Sequence, residues 1–389
     1  MPLPNSGPLS LQDIADEFGG TTPHALSEYY GSGGVPSSGP ISIGDFYGES
    51  AQVPLQMTSI SPALANGATS WDFATSGDPG VQMNSNIMYT FTSAASSQMV
   101  VNLKGAGGVM GRKEWGDDAV PGSSVGRGGN GGQIQGTVTF EQGQSYRIWV
   151  GASRVTEIPD NTFAPSGHIS DNTYGGNGGS TQTHDPNDDW GGYGGSLSFL
   201  QRGTTMIMAA GGGGGGQGAM ESNACSGCPG DGGHGGGGGI NNGEGEDGIS
   251  GVNASGSNNL GGRGGKDTVA GGGTASGGQN GSNSSGFTGG AGGPGNGRAG
   301  GGGGGGGWRF GGPTGVDGGG GGGAGGGKFN GHNGGGGGGG ASGFDPSYVT
   351  NISGTVGGGG AGSATQQSGP FGFYGGTGGE HGSIEFSLP

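Results

Sequence analysis

The alternation of apolar and polar residues is clearest between residues 86 and 210. Two stretches there, 137–140 and 146–150, are half-alternating and rich in β-branched and aromatic residues, which is typical of strands. The loop Gln142-Gly143-Gln144 between them has the length of a hairpin connection. The pattern predicts strands at 87–92, 98–103, 133–140, 145–150, 196–200, 204–210 and 382–387. Seven short strands predict a mainly β protein with a small antiparallel β-sandwich, formed by residues 86–210 plus 382–389.

Residues 211–381 are a glycine-rich block that separates the last predicted strand from the others. Its long glycine runs are 211–216, 235–239, 301–307, 318–323, 334–340 and 357–360. Runs of such similar length favour rods of one common height over random low complexity. Polyglycine can form an extended left-handed helix with three residues per turn, and its N–H groups remain free to bond neighbouring chains. We therefore expect an inserted polyglycine II helix lattice, with a flexible linker as the alternative.

Residues 1–48 carry a degenerate repeat. Residues 3–14 align without a gap to 35–46, and a weaker copy, 23–31, matches 40–48. The S-x-x-D spacing at Ser10 and Ser42 predicts a capped helix start in each of those copies. Residues 49–85 are interpreted as a linker with one or two strands, anchored by Trp71-Asp72-Phe73.

The N-terminal segment is rich in large apolar residues for its length. Ile14 is one of them, and the aromatic members are candidates for docking to a partner protein. The alternative is a self-contained helical cap on the rest of the chain. The docking candidates are Phe18, Tyr29, Tyr30, Phe46 and Tyr47.

The composition excludes several classes of protein. Glycine accounts for 116 of 389 residues, only 27% are hydrophobic, and the formal net charge is −16, so the chain can fill one modest core but not the cores of an ordinary enzyme of this length. Collagen is excluded because glycine has no three-residue period. The acidic balance disfavours nucleic-acid binding. The chain has no apolar run long enough to span a membrane, and we expect no signal peptide.

Motifs that carry chemistry are weak in this sequence. A phosphate-loop-like match ends at Lys328, but Phe329 stands where a hydroxyl residue is required. Cys225, Cys228 and His234 supply three nearby ligands, whereas a tetrahedral zinc site requires four, so a short-loop disulfide is favoured over zinc, with free thiols as the alternative. Clusters of acidic residues favour solvated turns over Ca²⁺ sites; they are Asp185, Asp188, Asp189, Glu244, Glu246 and Asp247. We expect no catalytic site, cofactor or metal.

Apolar residues interrupt the glycine runs, which a polar linker would not require. They are candidates for contact with a receptor, because aromatic residues and arginine dominate binding energy at interfaces. Capping of the lattice edges and packing against the sandwich remain the alternatives. The candidates are Trp308, Arg309, Phe310, Phe329, His332, Phe344, Tyr348, Phe371, Phe373 and Tyr374.

The N-terminal units LPNSGPLSLQDIADEF, PHALSEYYG and VPSSGPISIGDFYG resemble modules of tail and fibre proteins of tailed bacteriophages. The glycine block is similar to the polyglycine-sandwich adhesins at the tips of phage long tail fibres. The order of strands, glycine-rich insert and closing strand along the chain also resembles the glycine-rich extracellular region of anaplastic lymphoma kinase-type receptors. This similarity concerns the fold and not the role.

The resemblance implies a non-enzymatic virion protein of the tail, exposed outside the host cell. Residues 1–48 would mount it on other tail or fibre proteins, and loops between glycine runs would bind a bacterial receptor, either a protein loop or a glycan. The alternative is a tail or baseplate structural component without receptor contact. Neither nucleic-acid binding nor membrane insertion is expected. A depolymerase would require paired carboxylates, for which the sequence offers no candidate pair.

Overall fold

The structure is a computed structural model that describes part of the chain. The described residues are 3–32, 35–49, 54–73, 83–85, 87–109, 111, 127–153, 175, 191–216, 247, 251–252, 258–259, 280–283, 285, 287–293, 301–308, 310, 335–355, 367–368, 374–375 and 381–389.

The described part of the chain is mainly β. One α-helix, α1 (Leu11–Phe18), and two 3-10 helices, Leu26–Tyr29 and Ile43–Phe46, lie near the N-terminus. The strands are β1 (Gln56–Ser61), β2 (Trp71–Asp72), β3 (Met88–Ser93), β4 (Ser97–Lys104), β5 (Gln133–Phe140), β6 (Ser145–Trp149), β7 (Ser198–Arg202), β8 (Thr205–Ala210), β9 (Gly251–Val252), β10 (Asn258–Asn259), β11 (Gly343–Phe344), β12 (Val349–Thr355), β13 (Gln367–Ser368), β14 (Tyr374–Gly375) and β15 (Ser383–Ser387).

Two antiparallel sheets contain most of these strands. The seven-stranded sheet has the order β11-β8-β7-β6-β3-β1-β2, and the four-stranded sheet has the order β12-β5-β4-β15. All seven predicted strands are confirmed, each within two residues of its predicted ends. The region 49–85, interpreted as a linker with one or two strands, contributes β1 and β2 to the larger sheet. β11 and β12 lie within the predicted glycine block, where no strand was predicted.

The two sheets share one hydrophobic core, and the alternation of burial along the strands shows why. Every second residue of β3 and β4 is buried, so one face of each sheet is apolar. Rings from both sheets meet there: the centroid of Phe140 in β5 lies 4.8 Å from that of Tyr146 in β6 and 6.1 Å from that of Phe386 in β15. The closing strand β15 is therefore anchored by its apolar side chains as well as by its pairing with β4.

A second apolar cluster lies on the opposite face of the seven-stranded sheet. Trp149 and Phe199 belong to it, while their chain neighbours Ile148 and Leu200 belong to the main core. The rings of Trp149 and Phe199 are stacked, with centroids 6.5 Å apart. Both faces of β6–β8 are thus covered, which explains why β8 reads as an almost continuous apolar run.

Candidate functional site

Five glycine-rich runs continue directly from strands of the two sheets. Two of them extend the smaller sheet, and three extend neighbouring strands of the larger one. They are 105–109 after β4, 127–132 before β5, 191–197 before β7, 211–216 after β8 and 335–342 before β11. Their position at strand ends means that the sheets set where each run begins and which runs lie next to each other.

The run 211–216 is hydrogen-bonded to five neighbouring runs among the described residues. Its Gly213 N–H donates to the Ala106 carbonyl at 2.9 Å, and its Gly212 N–H donates to the Gly306 carbonyl at 2.7 Å. Its carbonyls accept from Gly129, Gly195 and Gly340, at 2.7, 2.8 and 2.8 Å. Such an arrangement satisfies backbone polar groups that are fully buried, without a strand ladder.

The bonds between a given pair of runs recur every third residue. Gly212 donates to Gly306, and Gly215 donates to Gly303. The same spacing relates Gly213 and Gly216 to their acceptors in the run 105–109. A strand would turn the same edge to its neighbour at every second residue, so this period is not that of a β-sheet.

Glycine is required in these runs because of close backbone approach. A Cβ placed on Gly213 would overlap the carbonyl of Gly129, and one placed on Gly215 would overlap the carbonyl of Gly192. A Cβ on Gly337 would meet the carbonyl of Gly303 in the same way. Because the obstructing atoms are backbone atoms, no change of rotamer could make room for a side chain.

The helix starts of the N-terminal segment are capped as their spacing predicts. The Ser10 N–H donates to the Asp13 carboxylate at 2.8 Å, and the Ser42 N–H donates to the Asp45 carboxylate at 2.7 Å. The Ser10 hydroxyl also donates to Asp13, at 2.6 Å, and these bonds lower the pKa of Asp13. In the weaker copy, Glu28 accepts from the Ala25 N–H at 3.2 Å.

The segment buries part of its own apolar surface. Ile14, Tyr29 and Phe46 occupy equivalent positions in the three aligned copies, and they are 0%, 2% and 0% exposed. The Phe18 ring lies 6.2 Å from Tyr29 and 6.1 Å from Phe46. The expectation that so short a segment leaves these aromatics for a partner is wrong for Tyr29 and Phe46. Burial also raises the pKa of Tyr29.

Tyr30 and Tyr47 are the docking candidates that remain at the surface, 41% and 37% exposed. They occupy equivalent positions and make equivalent bonds. The Tyr30 hydroxyl donates to the Gly39 carbonyl and the Tyr47 hydroxyl to the Gly7 carbonyl, both at 2.5 Å. The copy 23–31 therefore contacts the start of the copy 35–46 through Tyr30. In the same way, Tyr47 at the end of the last copy contacts the start of the copy 3–14.

The receptor-contact candidates occupy different environments. Phe344 is 5% exposed and belongs to the main core, so it is a core residue rather than a contact residue. Tyr348 packs partly against that core and lies under the guanidinium of Arg202, 5.7 Å from its ring centroid. Trp308 packs against the cluster of Trp149 and Phe199.

Among the candidates that the structure describes, Phe310 is exposed, at 38%, and its ring centroid lies 6.4 Å from that of Trp308. Tyr374 lies in β14. The remaining candidates, Arg309, Phe329, His332, Phe371 and Phe373, lie outside the described residues, as do Cys225 and Cys228.

No family model matches the chain. A search of curated proteins found no match either. Among the described residues, no cluster of three or more His, Cys, Asp or Glu side chains has a geometry that could hold a metal ion. Within the same residues, no helix is long and apolar enough to cross a membrane.

Sequence reasoning missed the second apolar cluster and the strand β12. The apolar run of β8, with Met206 and Ala209 on the outer side, was the available signal that both faces of its sheet are covered. Apolar and polar residues alternate only weakly along β12, and its pairing with β5 shifts register between Thr350 and Ser353. The sequence of β12 therefore shows little of the pattern that identifies a strand.

Proposed function

We propose that this chain is a non-catalytic tail protein of a tailed bacteriophage, which binds the host surface at a fibre tip or tail tip. The observation that carries the proposal is the set of buried glycine runs rooted in two sheets and hydrogen-bonded to one another. Glycine runs bonded in this way are held together by their backbones and need few side chains. They suit a protein that presents loops on a stiff base. The resemblance of residues 1–48 to phage tail modules supplies the location.

The glycine runs are best explained as a polyglycine II lattice inserted in a β-sandwich. Three features support this fold: bonds that recur every third residue, bonds from one run to five neighbours, and glycine where a Cβ would overlap a carbonyl. None of the glycines from 211 to 216 adopts the left-handed φ that marks glycine in turns. The cost of ordering so many glycines is offset by cooperative bonding between runs.

Receptor contact is proposed for the ends of the glycine runs. Phe310 lies shortly after the run 301–307 and is exposed, while Trp308 anchors the same end to the sheet. A loop that is held in place loses less conformational entropy on binding. The net charge of −16 opposes approach to an anionic cell surface, so the receptor is a protein loop or a neutral glycan.

Docking is proposed for residues 1–48, through the exposed faces of Tyr30, Ile43 and Tyr47. Partly exposed aromatic side chains that are held by hydrogen bonds offer apolar area at low entropic cost, which favours them as interface anchors. The closed arrangement of the three copies keeps these side chains in fixed positions.

The test is adsorption of the phage that encodes the chain. Virions with Phe310→Ala should bind host cells at least tenfold more weakly, because truncation of an aromatic anchor costs about 2 kcal/mol or more and about 1.4 kcal/mol is a tenfold change in affinity. Leu388→Ala is the matched control, because Leu388 is equally apolar, 47% exposed and near the C-terminus. Purified wild-type chain should compete with virions for the host surface.

Deletion of residues 1–48 tests the mounting role. The shortened chain should keep the thermal unfolding transition of the rest of the protein but should be missing from virions. Normal incorporation of the deleted chain would refute docking through this segment. Normal adsorption of virions without the chain would refute the adhesin role.

A further inference from the structure

The outward face of the four-stranded sheet is lined by amide and hydroxyl side chains. The core-facing residues of β4 and β5 alternate with Gln98, Asn102, Gln135 and Thr139, which point away from the core. The register places Gln98 opposite Thr139 and Asn102 opposite Gln135. These two pairs therefore lie on one surface of the two central strands, called here the amide face. The pair Val100 and Thr137 lies between them, and Thr137 is buried.

Hydrogen bonds between strands hold several of these side chains in place. The Gln133 amide donates to the Asn102 side-chain oxygen at 2.9 Å, and the Asn102 amide donates to Glu385 of β15 at 3.2 Å. The Gln98 amide lies 3.4 Å from the Thr139 hydroxyl. Side chains that are already oriented lose less rotamer entropy when a ligand binds.

The amide face is close to electrically neutral within a strongly acidic chain. Lys104 and Glu385 are the charged residues that β4, β5 and β15 place on it, and their charges cancel. One lysine is too little positive charge to bind nucleic acid. Val100 is the sole large apolar side chain that these three strands place there, so β4, β5 and β15 contribute none of the aromatic anchors of a protein interface to this face.

We propose that the amide face binds a neutral glycan. The exposed amides of Gln98 and Gln135 can donate and accept hydrogen bonds, and the exposed Thr139 hydroxyl can also do both. This matches the paired donor and acceptor character of sugar hydroxyls. A neutral glycan approaches the acidic chain without charge repulsion, whereas an acidic glycan is repelled. As a contact with the host surface this rests on the proposed function, to which it adds a second binding surface for one of the two receptor classes.

The experiment measures binding of the full chain to immobilised oligosaccharides. Neutral oligosaccharides of hexoses and N-acetylhexosamines are compared with sialylated ones of the same core structure. The test variant combines Gln98→Ala and Gln135→Ala, both exposed on the amide face. The control combines Gln142→Ala and Gln144→Ala, two exposed glutamines in the turn between β5 and β6.

We expect the wild-type chain to retain at least one neutral oligosaccharide and to discriminate against its sialylated form. The test variant should bind at least tenfold more weakly, with an unchanged thermal unfolding midpoint, and the control should bind as the wild type does. Retention of no neutral oligosaccharide would overturn the proposal, as would an equal loss in the control or stronger binding to the sialylated set. Adsorption separates the two proposals: loss through Phe310→Ala but not through the amide-face variant supports the adhesin role and refutes the glycan surface.

Discussion

Gly213 offers the sharpest test of the packing of the glycine runs. It lies in the run 211–216, and a Cβ there would overlap backbone atoms of Gly129 and Asn130. Its N–H donates to Ala106, and its carbonyl accepts from Gly195 at 2.8 Å. Gly213→Ala adds a single methyl group, so the change tests close backbone approach without adding charge or polarity.

The expected loss of stability follows from these contacts. Displacing the run weakens two buried hydrogen bonds, at about 1 kcal/mol each. Overpacking in a site that cannot relax costs about 1–3 kcal/mol more. Replacing glycine by alanine also stiffens the unfolded chain, which offsets about 0.4–1 kcal/mol of the loss. The net expectation is a destabilisation of about 2–5 kcal/mol.

Differential scanning calorimetry measures this effect directly. A domain of 150–250 residues loses about 2–4 °C per kcal/mol, so the unfolding midpoint should fall by roughly 4–20 °C. Gly44→Ala is the control: Gly44 is exposed, and the nearest atom to its added Cβ is the Ser42 Oγ at 3.4 Å. Equal midpoints for the two variants would refute the requirement for glycine at Gly213.

Three further predictions concern single side chains. Trp308→Ala should destabilise the protein by about 1–3 kcal/mol, measured by urea unfolding, because Trp308 packs against the outer apolar cluster; a loss below about 0.5 kcal/mol would place Trp308 outside it. Asp13→Asn should flatten the pH dependence of stability: because the pKa of Asp13 is lowered from 3.8, its contribution is present above that value and is lost as the pH falls through the folded-state pKa. An unchanged acid profile in calorimetric scans below about pH 5 would contradict this. Arg202→Ala should cost about 1 kcal/mol, because it removes a bidentate pair with Glu141 at 2.6 and 2.7 Å and the contact with Tyr348; Glu141→Gln, which keeps the ring contact, should cost less.

The strands and the helix starts could be predicted because their signals are local. Alternation along β5 reports which side of one strand faces the core, and the spacing of Ser10 and Asp13 lies within one helical turn. The small core around Ile14, Tyr29 and Phe46 was harder to predict, because the aligned positions were visible but their mutual burial was not. Counting apolar residues does not tell whether three short copies close on one another.

The sequence by itself determined seven of the strands and where the helix starts are capped, but it did not predict β11 or β12. Only the tertiary structure decided which glycine runs are neighbours, that Phe344 is buried, and that Trp308 packs on the outer face of a sheet. The amide face likewise exists only because β4, β5 and β15 pair across a long separation in the chain. The physical reason is that residue spacing limits the conformation of a segment, whereas burial and bonding between segments depend on partners that are distant in sequence.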